Sequence, residues 1–135
     1  TRMQSKKGSG GIYMEQLNQP SLDVSAMYQT LLADFIQVQP DRLKASDQFI
    51  AELRQVTATP TMVEIHPQMN QGDWILIKWP EIRLEVFTYP AKSLATVDLY
   101  APKEIDLDLL FKKLVGFFEP SVIRKTVLSR GILDA

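Results

Sequence analysis

Asp73-Trp-Ile-Leu-Ile-Lys-Trp79, then Pro80-Glu81, then Ile82-Arg-Leu-Glu-Val-Phe-Thr88: these three pieces decide how the chain folds. The first run is apolar at nearly every position, as a central strand covered on both faces would be. Pro80-Glu81 interrupts it. The second run alternates, with Ile82, Leu84 and Val86 on one face and Arg83, Glu85 and Phe87 on the other. That period of two marks a strand with one side on a core. Two such runs joined by so short a break make an antiparallel hairpin.

Outward from this hairpin the same logic continues. Thr61 to His66 reads as a strand, and Pro67 to Gly72 as a loop of turn formers. Tyr89-Pro-Ala-Lys92 turns the chain into a further strand, Ser93 to Tyr100. Asp106 caps a helix running to about Phe118, with Leu107, Leu110, Phe111, Leu114 and Phe117 on its apolar side. Ser121 to Ser129 is a last strand, closed by Arg130-Gly131. Upstream, a helix from about Asp41 or Ser46 to Val56 places Phe49, Ile50, Leu53 and Val56 on one face.

Nearer the start, Leu22 to Val38 carries apolar residues at Leu22, Val24, Met27, Tyr28, Leu31, Leu32, Phe35 and Ile36. This spacing predicts a helix, capped by Ser21 or Asp23 and stopped by Pro40. Gly11 to Leu17 predicts a short strand. Strands in the middle and helices on the flanks give an α+β, two-layer sandwich, a mostly antiparallel sheet with helices on one face. Residues 1–10 read as a flexible tail and 11–135 as one domain.

Composition narrows the function classes. Fifteen basic against sixteen acidic side chains give a net charge of −1, which argues against nucleic acid as a partner. No cysteine excludes thiol nucleophiles, disulfides and zinc ribbons, and the single histidine, His66, cannot anchor a histidine-rich metal site. The longest apolar runs, such as Trp74-Ile75-Leu76-Ile77, are far too short to span a membrane. A cytoplasmic protein with no metal and no membrane partner is expected.

The stretch Glu81-Ile82, Phe87-Thr88-Tyr89-Pro90, Ala95-Thr-Val-Asp98-Leu-Tyr100-Ala-Pro102 and the helix opened by Ile105-Asp106 resembles the small prokaryotic type of S-adenosylmethionine decarboxylase. The resemblance runs from roughly Ala45 to Gly131 and leaves Leu22–Val38 unexplained. It implies the two-layer fold, a homodimer or a heterodimer with a related decarboxylase, and a link to polyamine and spermidine biosynthesis. In that family a serine after the glutamate attacks the preceding carbonyl and becomes a pyruvoyl group, the electron sink for decarboxylation. Here the serine position is Ile82, the processing histidine falls on Phe87 and the proton-donating cysteine falls on Pro102; Glu81 is retained. Neither pyruvoyl nor another cofactor is expected, and the resemblance implies a catalytically inactive relative. An active decarboxylase using other residues, or an interaction module without ligand, are the alternatives.

Four residues are candidates for a surviving small-molecule pocket: His66, Glu81, Glu85 and Tyr89. Each has a plainer reading. A histidine at a strand end commonly bonds nearby backbone. Charges on an antiparallel strand commonly face solvent, and alternating aromatics such as Trp74, Trp79, Phe87, Tyr89 and Tyr100 commonly pack in a core or an interface. Ser93, the nearest hydroxyl downstream of the hairpin, follows Lys92 and reads as a strand-start residue.

Overall fold

A computed structural model describes the backbone of residues 22–133 and the side chains of residues 27–130. The expected tail and the expected strand at Gly11–Leu17 lie outside the described residues. The larger of the chain's two compact units is Tyr28–Arg130. The buried core lies in the larger unit.

The elements are β1 (Leu22–Ile36), α1 (Pro40–Leu43), α2 (Ser46–Val56), β2 (Met62–Pro67), β3 (Asp73–Lys78), β4 (Arg83–Tyr89), β5 (Leu94–Pro102), α3 (Asp108–Phe118) and β6 (Val122–Leu133). The six strands form one sheet in the order β2-β3-β4-β5-β1-β6. The β2–β3, β3–β4, β4–β5 and β5–β1 pairs are all antiparallel. The helices supply the second layer on one face, as the sequence predicts.

The hairpin that decides the fold forms as expected. Trp79 donates its backbone N–H to the Ile82 carbonyl at 2.9 Å, and its indole Nε1–H donates to the Ala58 carbonyl at 2.9 Å. The turn is thereby tied to the chain leaving α2. Along β4 the period of two becomes a burial pattern, with Leu84 and Val86 wholly buried opposite Leu99 and Val97 of β5. β3 is an interior strand, one in from the β2 edge and not at the centre. Its apolar open-face side chains, Trp74 and Leu76, stay half-buried.

One expectation is overturned. Leu22–Val38 is not a helix: Leu22–Ile36 is strand β1, seated between β5 and β6. Leu31, Ala33 and Phe35 point into the core while Thr30, Leu32, Asp34 and Ile36 alternate onto the other face. The pairs Leu31-Leu32 and Phe35-Ile36 fit a helical stripe as well as an interior strand with apolar groups on both sides. Nine registered residue partners with β5, from Tyr28↔Pro102 to Ile36↔Leu94, settle the choice in favour of the sheet. Gln37 then takes a left-handed conformation, φ 60°, and the chain breaks into α1 with Pro40 in its first turn.

Between the layers sits an aromatic cluster. Phe35 of β1 meets Phe111 and Phe118 of α3, each at 5.8 Å between ring centres, and Phe49 of α2 meets Phe117 and Phe118, each at 5.2 Å. Asp106 is not the cap expected of it: α3 begins after Leu107 with no side-chain capping bond, and Asp106 instead accepts the N–H of Asp108 at 2.9 Å in an Asx turn just ahead of the helix. Val56, expected on the buried face of α2, is exposed at the helix end.

Two glycines test this packing in opposite directions. A Cβ on Gly72 would lie 1.9 Å from the backbone oxygen of Thr88, which cannot move without disturbing β4. A Cβ on Gly116, exposed on α3, meets nothing within 4 Å. Urea unfolding is expected to show Gly72→Ala destabilised by roughly 1–3 kcal/mol or more, and Gly116→Ala stabilised by about 0.5–1 kcal/mol.

Candidate functional site

Because the helices cover one face, the other face of the sheet shows the alternate residues of every strand, and the register sorts them into rows. His66, Trp74, Phe87, Thr96 and Asp34 face one another across β2, β3, β4, β5 and β1. The next row holds Glu64, Leu76, Glu85, Asp98 and Leu32, and the third holds Met62, Lys78, Arg83, Tyr100 and Thr30. Aromatics and acids of β2 to β5 therefore share the middle of an open surface.

The first row is a stack. The His66 ring lies 4.8 Å from Trp74, and Trp74 lies 5.7 Å from Phe87. His66 is fixed at the sheet edge by a 2.8 Å contact of Nε2 with Glu64 Oε1. Trp74 donates its indole Nε1–H to Glu85 Oε2 at 3.0 Å, which orients that carboxylate. In the third row the Arg83 guanidinium sits 5.0 Å from the centre of the Tyr100 ring, and Tyr100 stacks on Tyr28 at 5.4 Å.

Glu85 and Asp98 stand directly opposite each other on β4 and β5. Like charges in directly opposed positions oppose pairing, so this pair works against the sheet it stands on. Burial pushes the Asp98 carboxyl above the usual aspartate value, with Glu85 and Asp34 adding repulsion and Arg83 partly offsetting it. The two carboxylates line a hollow of about 240 Å³ with Phe87, Tyr89 and Thr96. Aromatic walls and paired carboxylates in one recess suit a compact organic cation, which the acids neutralise and the ring faces attract. Among the described residues no group of three or more histidine, aspartate or glutamate side chains is placed to hold a metal ion. Among the same residues no helix is long and apolar enough to cross a membrane.

The four sequence candidates part company here. Glu85 and Tyr89 line the hollow. His66 does not line it and reaches it only through the Trp74–Phe87 stack. Glu81 is exposed in the β3–β4 turn, away from the lining residues. Ile82 beside it is partly buried against the core and does not line the hollow either. Phe87 is a wall of the hollow and Pro102 ends β5. Asp98 and Thr96 are site residues that the sequence does not single out. Only the β4–β5 register places Asp98 against Glu85, and no local signal in either strand announces it.

A six-stranded antiparallel sheet with helices on one face and an acid-and-aromatic hollow on the other is a two-layer α+β protein. The family model described as S-adenosylmethionine decarboxylase matches residues 29–131. The chain belongs to the S-adenosylmethionine decarboxylase family. It is similar in structure to the adenosylmethionine decarboxylase of Aquifex aeolicus VF5, with a TM-score of 0.69 at 19% identity. That similarity covers 82% of this chain and 95% of the other, and it shows the shared fold. No curated protein matches. The family match begins at residue 29 and so takes in part of β1, the element whose helical spacing misleads.

The raised Asp98 gives a stability test with a definite sign. A carboxyl whose folded pKa lies above its unfolded value opposes folding when ionised, and that penalty is relieved as pH falls through the folded pKa. Asp98→Asn is expected to be more stable than the parent at neutral pH, with the advantage shrinking on acidification toward the carboxylate range; paired thermal melts across pH check this.

Proposed function

We propose that this protein is a non-catalytic member of its family that binds a small organic cation in the open-face hollow. We further propose that it acts in polyamine metabolism as a regulatory or assembly subunit, in the cytoplasm. The observation that carries the reading is the opposed Glu85–Asp98 pair, which shares a hollow with the Phe87 and Tyr89 rings that the Glu81–Ile82 turn does not line. The pocket half of the site is present, and the self-processing half lacks its chemistry.

The lost chemistry follows from elementary reactivity. Pyruvoyl formation begins with a hydroxyl oxygen attacking the carbonyl just before it, and the branched hydrocarbon of Ile82 has no such oxygen. Phe87 cannot exchange a proton, and Pro102 offers no thiol. The half-buried aromatics of the open face, Trp74, Phe87, Tyr89 and Tyr100, support covering by a second sheet, either a copy of this chain or a related decarboxylase.

One observation favours an active enzyme instead. Ser93 holds a left-handed backbone, φ 52°, and a strained serine in a turn is a place where backbone chemistry can begin. Its surroundings argue for a structural role: its N–H donates to the Pro90 carbonyl at 3.2 Å, and its own carbonyl accepts the N–H of Val38 at 2.9 Å. The two readings separate by intact mass. A single species at the mass of the full chain after prolonged incubation is expected, and fragments with a blocked terminus would sink the proposal, as would release of labelled carbon dioxide from carboxyl-labelled S-adenosylmethionine.

Binding is tested by calorimetry with S-adenosylmethionine, putrescine and spermidine. At least one of these cations is expected to bind, and Glu85→Gln and Asp98→Asn should each weaken it about tenfold or more. A bound cation favours the ionised carboxyl, so affinity should fall as pH drops through the raised Asp98 pKa. No heat with any of the three would leave only the assembly role.

A further inference from the structure

Among the described residues β6 is the outermost strand, and it is out of keeping with the rest of the sheet. Every side chain from Ser121 to Arg130 is exposed, although the strand is hydrogen-bonded into the sheet beside β1. Four of these are large and apolar: Val122 at 47%, Ile123 at 39%, Val127 at 52% and Leu128 at 47% exposure. Exposed edge strands of this kind template pairing with another chain unless they are blunted.

Two contacts fix which way the strand faces. Arg124 reaches Asp34 at 3.2 Å on the open face, and Lys125 lies 4.6 Å from the Phe111 ring on the helix side. Alternation then puts Val122, Arg124, Leu128 and Arg130 on the open face and Ile123, Lys125 and Val127 on the helix side. The N–H of Ser121 donates inward to the Ile36 carbonyl at 3.0 Å. With Ser121 beside Ile36 and Arg124 beside Asp34, β6 runs antiparallel to β1, which turns the N–H groups of Val122, Arg124, Thr126, Leu128 and Arg130 toward an edge that no described strand covers.

Charge selects the occupant. Ser121 to Arg130 holds Arg124, Lys125 and Arg130 and no acidic residue, in a chain of net charge −1. If β6 paired antiparallel with its own two-fold copy, each register overlapping the middle of the strand would set a base opposite or diagonal to another base, which is unfavourable. We propose that the free edge of β6 is a docking strand for an extended segment of another protein, carrying acids on the open face and apolar residues on the helix side. Such a segment continues the sheet by main-chain hydrogen bonds, pairs with Arg124 and Arg130, and covers Ile123 and Val127. The inference is independent of the hollow, since none of the hollow's lining residues lies on β6.

The test uses the full chain and a fluorescent synthetic peptide of about ten residues alternating glutamate with valine and isoleucine. A peptide with lysine in place of glutamate is the control. The glutamate peptide is expected to bind at least tenfold more tightly, to weaken with salt, and to slow hydrogen exchange at residues 122, 124, 126, 128 and 130. Thr126→Pro removes one outward N–H and should abolish binding with the circular dichroism preserved. Arg124→Glu with Arg130→Glu should weaken it tenfold or more. The proposal is overturned if the two peptides bind alike or if both variants bind like the parent. It is also overturned if these amides are already protected in the isolated monomer, or if sedimentation shows a dimer that Thr126→Pro dissociates, because the chain itself or a second copy would then be the occupant.

Discussion

The contact of Phe35 with Phe118, and of both with Phe49 through the shared α3 ring, is the constraint on which the remaining arrangement depends. These three side chains are almost wholly buried, and they come from β1, α2 and α3. Burying so much aromatic surface between the layers commits both long helices to one face of the sheet. Once they are there, the side chains that alternate away from the helices are left outside the core and meet one another. The open face, with its rows of aromatics and acids, is a geometric consequence of where the phenylalanines went.

That division of labour lets the sheet tolerate changes at the positions of the family's reactive groups. The core needs only apolar residues of the right parity on β4 and β5, and Leu84, Val86, Val97 and Leu99 supply them. Nothing in this packing requires a serine at position 82 or a histidine at 87, so Ile82 and Phe87 leave the sheet intact. Ile82 joins the packing against the core. Phe87 extends the stack begun by His66 and Trp74. Both residues offer van der Waals contact where the family pattern has reactive groups, in keeping with the non-catalytic role we propose.

The opposed carboxylates fit the same picture. Glu85 and Asp98 oppose the pairing of their own strands, and Arg83 only partly offsets the burden on Asp98. A protein selected for stability alone has many ways to relieve such a pair with one neutral residue. Trp74 instead directs its indole hydrogen bond to holding Glu85 in place. That oriented carboxylate beside a recess is what the proposed binding of a cation rests on.

Much of this is legible in the order of the residues. The period of two along Ile82–Thr88, the break at Pro80-Glu81 and the apolar spacing of Leu107–Phe117 are local signals, and each produces the element it predicts. The absence of a hydroxyl at position 82 is likewise a fact of covalent chemistry that no fold can alter. Leu22–Ile36 shows the limit: apolar pairs three and four apart satisfy a helix and an interior strand alike, and only the hydrogen bonds offered by β5 decide between them. The site divides the same way. Glu85 and Tyr89 declare themselves by alternation within one strand, whereas Asp98 becomes their neighbour through a register between strands, a long-range relation that no stretch of sequence encodes by itself.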